Sequence, residues 1–477
     1  MSSVSVRQWR GSPSRFSAPQ RETSRESLRN WLADGGPLAL GVVLFVFAAH
    51  LAYGANNDRL SMLFTALVGT GLAALYFASR GGRQALSWVD GRVGAACLLF
   101  GASFAIALLG LTPWLPGGAH PVWTYLPAAA PAVTVSRSDT VLALTRLAGV
   151  GCAFLLGLAL ARRPETAARL FSTLLVVFSL FALWALWGFL DDPNGLFGHQ
   201  REAPTGRLMA AFGSANSAAL LFATGLLLAV ADMLRTLRRY KGFRGVIKRT
   251  ERALPRLAPG VICCVLCVTA LTLSQSRAGA VCALAALAVL SALETLRAKT
   301  SAGHSRGRGL LLAGVVVPFL FLALIADRPE LVTRLMNAGS DLETRESIYA
   351  VHWRAIEAAP WFGYGRGTFD AVNKLVATLQ SYPSTFDIRA LHDVYLEWIE
   401  GVGVVGALPM FGAVIAANLA VARGAFRRER MAGWKRGILC VSLLVGAMGL
   451  TDYGLEEPSI ALMWSLLLGV GAGLGRD

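Results

Sequence analysis

Apolar residues run along this chain in long blocks, separated by short polar or charged stretches. A block of about 18–20 apolar residues crosses a bilayer, because a helix rising ~1.5 Å per residue must cover roughly 30 Å of hydrocarbon. Twelve such blocks stand out, near 37–55, 60–79, 93–111, 139–161, 168–190, 209–232, 259–275, 278–296, 309–326, 393–420, 437–451 and 458–474. Backbone N–H and C=O groups find no water in lipid, so each block is predicted to be a helix. The pattern predicts an all-α polytopic membrane protein with about 12 transmembrane helices. Its parts are a disordered tail over 1–36, helices one to nine over 37–326, a large loop over 327–392 and helices ten to twelve over 393–477.

Composition agrees, with 55% hydrophobic residues, and net charge adds orientation. A charge of +16 raises the question of nucleic acid, but its placement answers it. With the N-terminus in the cytoplasm and the spans alternating, most of the 45 Lys and Arg fall on the inner side. That is the positive-inside bias, which sets orientation near anionic headgroups. The stretches 235–256 and 423–436 supply much of it, so no nucleic-acid partner is implied. Both termini are then cytoplasmic and the 327–392 loop faces outward. The first 36 residues are rich in Ser and Arg without a cleavable apolar region, which predicts a tail rather than a secretion signal. All seven cysteines lie within apolar runs, and even "CCVLC" at 263–267 reads as small apolar packing.

The polar residues that topology leaves unexplained gather on the outer side. The segment 341–358 interleaves Ile348, Trp353 and Ile356 with charges, predicting an amphipathic helix along the membrane surface. After it, "APWFGYGRGTF" places Gly363, Gly365 and Gly367 at alternate positions, allowing a tight turn or the close approach of a ligand. Arg207 stands at the mouth of the sixth span, with Asn216 more than two turns deeper, and "SQSRAG" puts Arg277 in a short outer connection. Arginine in or near lipid costs a few kcal/mol unless it snorkels or finds a partner. His392 opens the tenth span, where Tyr395, Leu396 and Ile399 would share its helix face while Glu397 and Glu400 fall on other sides. Asp393 favours the positive end of the helix dipole, and the following "GVGVVG" would let another helix pack closely.

Taken in order, "GRLMAAFGSANSAA", "SQSRAGA", "TRESIYAVHWRAIEAAPWFGYGRGTF" and "LHDVYLEWIEGVGVVGAL" resemble the O-antigen ligase and polymerase superfamily, which includes bacterial O-linking oligosaccharyltransferases. The resemblance is strongest from about 205 to 415. It implies a GT-C-like helical architecture with one large periplasmic loop carrying amphipathic helices. It also implies glycan transfer from undecaprenyl diphosphate, at the periplasmic face of the bacterial inner membrane, with no metal or other cofactor. On this resemblance the catalytic histidine is His392, the boundary arginines are Arg207, Arg277 and Arg345, and Asn216 and Asp393 are supporting residues. Two departures stand out: Asp393 replaces the usual asparagine after the histidine, and "SAN" at 214–216 replaces "NPN".

The residue types suit that chemistry. Guanidinium groups bind phosphate oxygens bidentately and stay charged at any physiological pH, so Arg207 and Arg277, then Arg345 and Arg366, are expected on the diphosphate. Histidine accepts a proton near neutral pH, which makes His392 the expected base toward the acceptor hydroxyl, with Tyr395 supporting it. One displacement predicts inversion at the sugar. Expected partners are the lipid-linked donor, a glycan or lipid A-core acceptor and the bilayer. A metal-dependent design would need carboxylates in the first outer loop, where only Asp58 stands; Asp191 and Asp192 form a pair elsewhere. The alternative class is a lipid-linked oligosaccharide flippase or exporter, which would place its polar groups near the bilayer midplane. Arg146 is the clearest deep charge.

Overall fold

The computed structural model describes residues 35–78, 93–126, 128–197, 199–200, 206–239, 246–299, 338–386, 388, 390–426 and 431–475. The predicted span at 309–326 and the tail at 1–34 lie outside them. The described chain is almost entirely helical. It runs through α1 (Gly36–Leu51), α2 (Asp58–Ala78), α3 (Gly94–Leu109), α4 (Arg137–Leu160) and α5 (Pro164–Asp191). A small antiparallel hairpin, β1 (Gly195–Leu196) with β2 (His199–Gln200), separates these from α6 (Ala215–Arg239), α7 (Val246–Leu273) and α8 (Arg277–Lys299). Then come α9 (Ala338–Ala358), α10 (Phe369–Val376), the short α11 (Tyr382–Thr385), α12 (Val394–Ala425), α13 (Ala432–Met448) and α14 (Pro458–Gly473). Among the described residues, seven helices are long and apolar enough to cross a membrane: α2, α4, α5, α6, α7, α8 and α12. Three apolar helices, α1, α3 and α14, are shorter at 16 residues each.

Burial sorts these helices. The apolar window of α6 is 89% buried, against 17% for α2, so α6 is the axis of the bundle and α2 a peripheral helix. Around α6 stand α5, α7, α8 and α13. The closest crossing joins α4 to α14, because Gly157 and Gly469 leave no side chain between the backbones. A Cβ on Gly157 would lie 2.2 Å from the Leu466 carbonyl oxygen, and one on Gly469 would lie 2.0 Å from that of Phe154.

The two ends of the bundle use charge differently. At one end the cations are locked inward. Arg436 Nε donates to Glu294 Oε1 at 2.6 Å, Arg238 pairs with the same carboxylate, and Arg235 sits 3.9 Å over the Trp434 ring. Arg436 is fully buried, so part of what reads as a topology signal is an internal ion-pair network. The other end gathers 52–57, 110–126, 128–136, 192–197, 206–214, 274–276, 338–386, 390–393 and 449–457. Contacts such as His50 Nδ1 to Ser459 Oγ at 2.8 Å and Leu208 N to Leu273 O at 3.0 Å tie them together.

Helix α12 is not continuous. Gly403 adopts φ 62°, and the chain just before it is paired with the loop 359–368. Tyr364 N donates to Glu400 O at 3.0 Å and Gly365 N to Gly401 O at 2.7 Å, while Val404 N and Val405 N donate to Pro360 O and Trp361 O. Backbone groups released by the break are thus satisfied by protein, as lipid requires. The expectation that "GVGVVG" admits a neighbouring helix holds at Gly406, where Ser103 Oγ of α3 donates to Gly406 O at 2.8 Å, while at Gly401 and Gly403 it is an irregular loop that approaches. Of the alternate glycines of 363–367, Gly363 packs on Glu400 and Gly401, while Gly365 and Gly367 close on Thr134, Thr140 and the first turns of α4. Gly365 has φ 103°, and a Cβ there would lie 2.0 Å from Thr134 Oγ1.

Candidate functional site

His392 does not stand on a helix face. Its φ of 59° places it in the left-handed region, two residues before α12 begins. The reason lies next door: Asp393 Oδ1 accepts from Tyr395 N at 2.9 Å and Leu396 N at 3.0 Å, capping the helix and fixing its start. The shared face expected for His392, Tyr395, Leu396 and Ile399 is therefore corrected. The same cap explains why aspartate serves where the family has asparagine, since a carboxylate fits a helix N-terminus at least as well. Burial raises the Asp393 pKa above the ordinary carboxylate value, against those two backbone bonds. Val394 N donates to Gly449 O at 2.8 Å and Tyr395 Oη to Gly446 O at 2.8 Å, stitching the histidine's segment to the end of α13.

The imidazole faces a residue that sequence reasoning missed. His392 Nδ1 lies 3.6 Å from Asp452 Oδ1, with the histidine side chain 31% exposed and the aspartate 1%. At that length it is an ion-pair contact rather than a hydrogen bond. Nδ1 and Asp452 Oδ2 are both buried with no hydrogen-bond partner among the described residues. Tyr453 meets the ring edge-on at 5.1 Å. Asp452 Oδ1 also accepts from Asn216 Nδ2 at 3.2 Å, and Asn216 Oδ1 accepts from Ser276 Oγ at 2.7 Å. Asn216 sits in the first turn of α6, not two turns deep, because 206–214 is not helical. Ser214 Oγ accepts from Asn216 N at 3.1 Å, so a serine turn leads into α6.

The arginines close on the same connections. Arg207 donates from Nε to Ser274 O and from Nη2 to Gln275 O, both at 3.2 Å, and so grips the turn that ends in half-buried Arg277. Gln275 takes φ 51° in that turn. Arg345 Nη1 donates to Thr451 O at 2.9 Å, one residue from Asp452. Arg366 is placed differently. It is buried, pairs with Glu456, lies 3.7 Å from Glu397 Oε1 and stacks 4.4 Å over the Trp398 ring. Burial opposes its charge, but the Glu456 and Glu397 carboxylates outweigh burial and hold its pKa above the ordinary value. So Glu397 points to Arg366, while Glu400 takes the buried His352, its Oε1 2.6 Å from His352 Nδ1.

Helix α9 turns Ile348, His352 and Ile356 inward and leaves Trp353 51% exposed, donating to Glu357. Arg146, unexplained in the sequence, bonds Ser61 Oγ and Asn56 O at 3.1 Å and lies 3.7 Å from Asp58, so it braces the first connection. Beside it, burial pushes the Glu457 carboxyl up to about 8, Asp452 adding to the shift and Arg146 opposing it. The signal that could have found Asp452 is "TDYGLEEP", three acids in a nine-residue turn between two apolar spans.

These helices, with their polar groups collected at one end, define an all-helical, multi-pass membrane protein. Residues 262–411 match the family model described as O-antigen ligase, and that match supports the resemblance to the O-antigen ligase and polymerase superfamily. The matched segment holds Arg277, Arg345, Arg366, His392, Asp393 and Tyr395; Arg207, Asn216 and Asp452 lie outside it. The match supports an enzyme of the glycosyltransferase type. No curated protein matches the chain.

Proposed function

We propose that the chain is a metal-independent, inverting glycosyltransferase. It moves an oligo- or polysaccharide from undecaprenyl diphosphate to an acceptor hydroxyl at the periplasmic face of the inner membrane. One observation supports this above the others: His392, Asp452, Asn216 and Ser276 form a chain of polar contacts drawn from three connections and the first turn of α6, with Arg207, Arg277 and Arg345 in or beside the same end of the bundle.

In the reaction, the acceptor hydroxyl attacks the anomeric carbon and a new C–O bond forms. The bond from that carbon to the diphosphate oxygen breaks, and its electron pair leaves with undecaprenyl diphosphate. The hydroxyl proton passes to His392 Nε2, the ring nitrogen turned away from Asp452. Asp452 holds the Nδ1–H tautomer and offsets the positive charge that the ring acquires. Arg207, Arg277 and Arg345 stabilise the charge that develops on the departing diphosphate, which is commonly the largest catalytic contribution. Arg366 belongs to a supporting layer: paired with Glu397 and Glu456, it fixes the loop 449–457 that carries Asp452.

The test is transfer by the purified chain in nanodiscs, with EDTA present, from a lipid-linked oligosaccharide to lipid A core, to a second lipid-linked glycan and to a protein hydroxyl. Transfer to the first acceptor makes the chain a ligase and to the second a polymerase. If no acceptor is glycosylated while lipid-linked sugar crosses the bilayer, the chain is a transporter and the proposal fails.

A further inference from the structure

Helix α5 ends at Asp191, and the chain turns through the hairpin 195–200 before Gly206. Between the last turns of α5, the hairpin and Leu208–Ala210 lies a cleft of about 270 Å³. That is close to the lower end of the ~300–1,000 Å³ typical of small-ligand sites. Trp184, Phe189 and Phe197 form its aromatic walls, Leu208 and Met209 close it, and Asp191 stands at the rim. Trp184 and Phe197 stack with centroids 5.7 Å apart and 29° between planes, and Tyr53 meets Phe197 edge-on at 6.0 Å.

Two features separate this cleft from a belt of interfacial aromatics. First, Phe197 has φ 51°, a conformation that costs free energy for a bulky residue. The hairpin enforces it. Asp192 Oδ1 accepts from Asn194 N at 3.0 Å, Asp192 Oδ2 from Gln200 Nε2 at 2.5 Å, and Asn194 Oδ1 from Gly206 N at 3.1 Å. Yet the ring remains 53% exposed, so the strain is not recovered by burying it. Second, α5 sorts its own side chains. Trp187 and Leu190, 73% and 78% exposed, lie outside the cleft, while Trp184 and Phe189 line it.

We propose that this cleft is a carbohydrate subsite, holding a sugar ring of the donor glycan beside Arg207. The inference rests on the transferase reading above. Sugar rings offer apolar C–H faces that pack on aromatic rings, and hydroxyls that donate to a carboxylate such as Asp191. A prenyl chain would have no use for that carboxylate. Leu208, which closes the cleft, directly follows Arg207, so a donor with its diphosphate on the arginine has its glycan next to the aromatic walls. The cleft then selects which lipid-linked glycan is accepted.

The test uses the full chain in nanodiscs and three probes: lipid-linked oligosaccharide extracted from the producing bacterium, its glycan released by mild acid, and sugarless undecaprenyl diphosphate. Binding of the last two is measured by calorimetry, and donor KM by transfer. Phe197→Ala is expected to weaken released glycan and raise donor KM by about three- to tenfold, the scale of one lost ring contact. It should leave undecaprenyl diphosphate binding unchanged. Asp191→Asn, on an exposed side chain, should do the same and covers the case in which Phe197→Ala does not fold. Unchanged glycan binding in both variants overturns the proposal, as does no glycan binding by the wild type. A parallel loss of undecaprenyl diphosphate binding assigns the cleft to the lipid tail and also overturns it. If glycan binds and the variants weaken it, but no acceptor is ever glycosylated, the subsite stands and the transferase reading falls.

Discussion

Replacing Asp452 with asparagine keeps the shape of the side chain and removes its charge. If His392 is the base, its ring becomes an imidazolium in the transition state, with Asp452 Oδ1 3.6 Å from Nδ1. At an effective dielectric of about 20, two unit charges at that distance attract by 332/(20 × 3.6), or roughly 4–5 kcal/mol. The histidine is 31% exposed, so solvent screens part of this, and about 2–3 kcal/mol is the expected loss. That corresponds to a fall in kcat of about 30- to 150-fold. Asn216 can still meet the new amide, so the local fold and the donor site survive. The assay is single-turnover transfer at saturating acceptor, with donor KM measured alongside. A fall in kcat with unchanged KM supports the reasoning. An Asp452→Asn variant with more than half the wild-type kcat refutes it, as does a variant that loses donor binding instead.

Three further outcomes follow from the same geometry. Gly403→Ala should lower the melting temperature in detergent sharply, because φ is 62° and ψ −179° there, a conformation that essentially only glycine adopts, and a Cβ would lie 2.1 Å from the Trp361 backbone; the backbone strain alone costs about 1–3 kcal/mol. His352→Ala leaves the buried Glu400 without its hydrogen-bond partner, a change of about 1–3 kcal/mol, and limited proteolysis should then cut near fully exposed Leu379 faster than in the wild type. Because Glu457 holds its proton up to about pH 8 when folded and loses it near 4.5 when unfolded, the folded state binds more protons between those values and stability falls as pH rises through them. Each unit is about 1.4 kcal/mol, so Glu457→Gln should flatten that decline by several kcal/mol in a pH series of melting temperatures, and an unchanged slope would contradict the burial argument.

The helices were legible because lipid leaves apolar blocks no other form, and α1 to α8 and α12 to α14 coincide with predicted spans. Arg207, Arg277 and His392 stood out as polar residues at span ends that topology did not need, whereas Arg345, inside the large loop, was named only through the family resemblance. What stayed hidden depends on tertiary contact. Nothing in the sequence announces that His392, Gln275, Ala210 and Phe197 take positive φ, since none is glycine and each is held there by its surroundings. Asp452 hid in a short turn whose acids look solvated, and it is 1% exposed. Glu397 and Glu400 read as lying off the histidine's face, and although they are neighbours three residues apart on the helix, each meets its own buried cation-capable partner, Arg366 or His352. The break at Gly403 was written in glycines whose partner, the loop at 359–368, could not be paired with them without the fold.

The central claim, that proton transfer to His392 drives glycan transfer, is tested most directly by His392→Ala. Transfer from an undecaprenyl-diphosphate donor is measured for wild type and variant in the same nanodiscs, with EDTA present and folding checked by melting temperature. The account predicts that wild type transfers glycan and that the variant, equally folded and still binding donor, loses about 10²- to 10⁴-fold in rate. A folded His392→Ala that transfers glycan at the wild-type rate would contradict it.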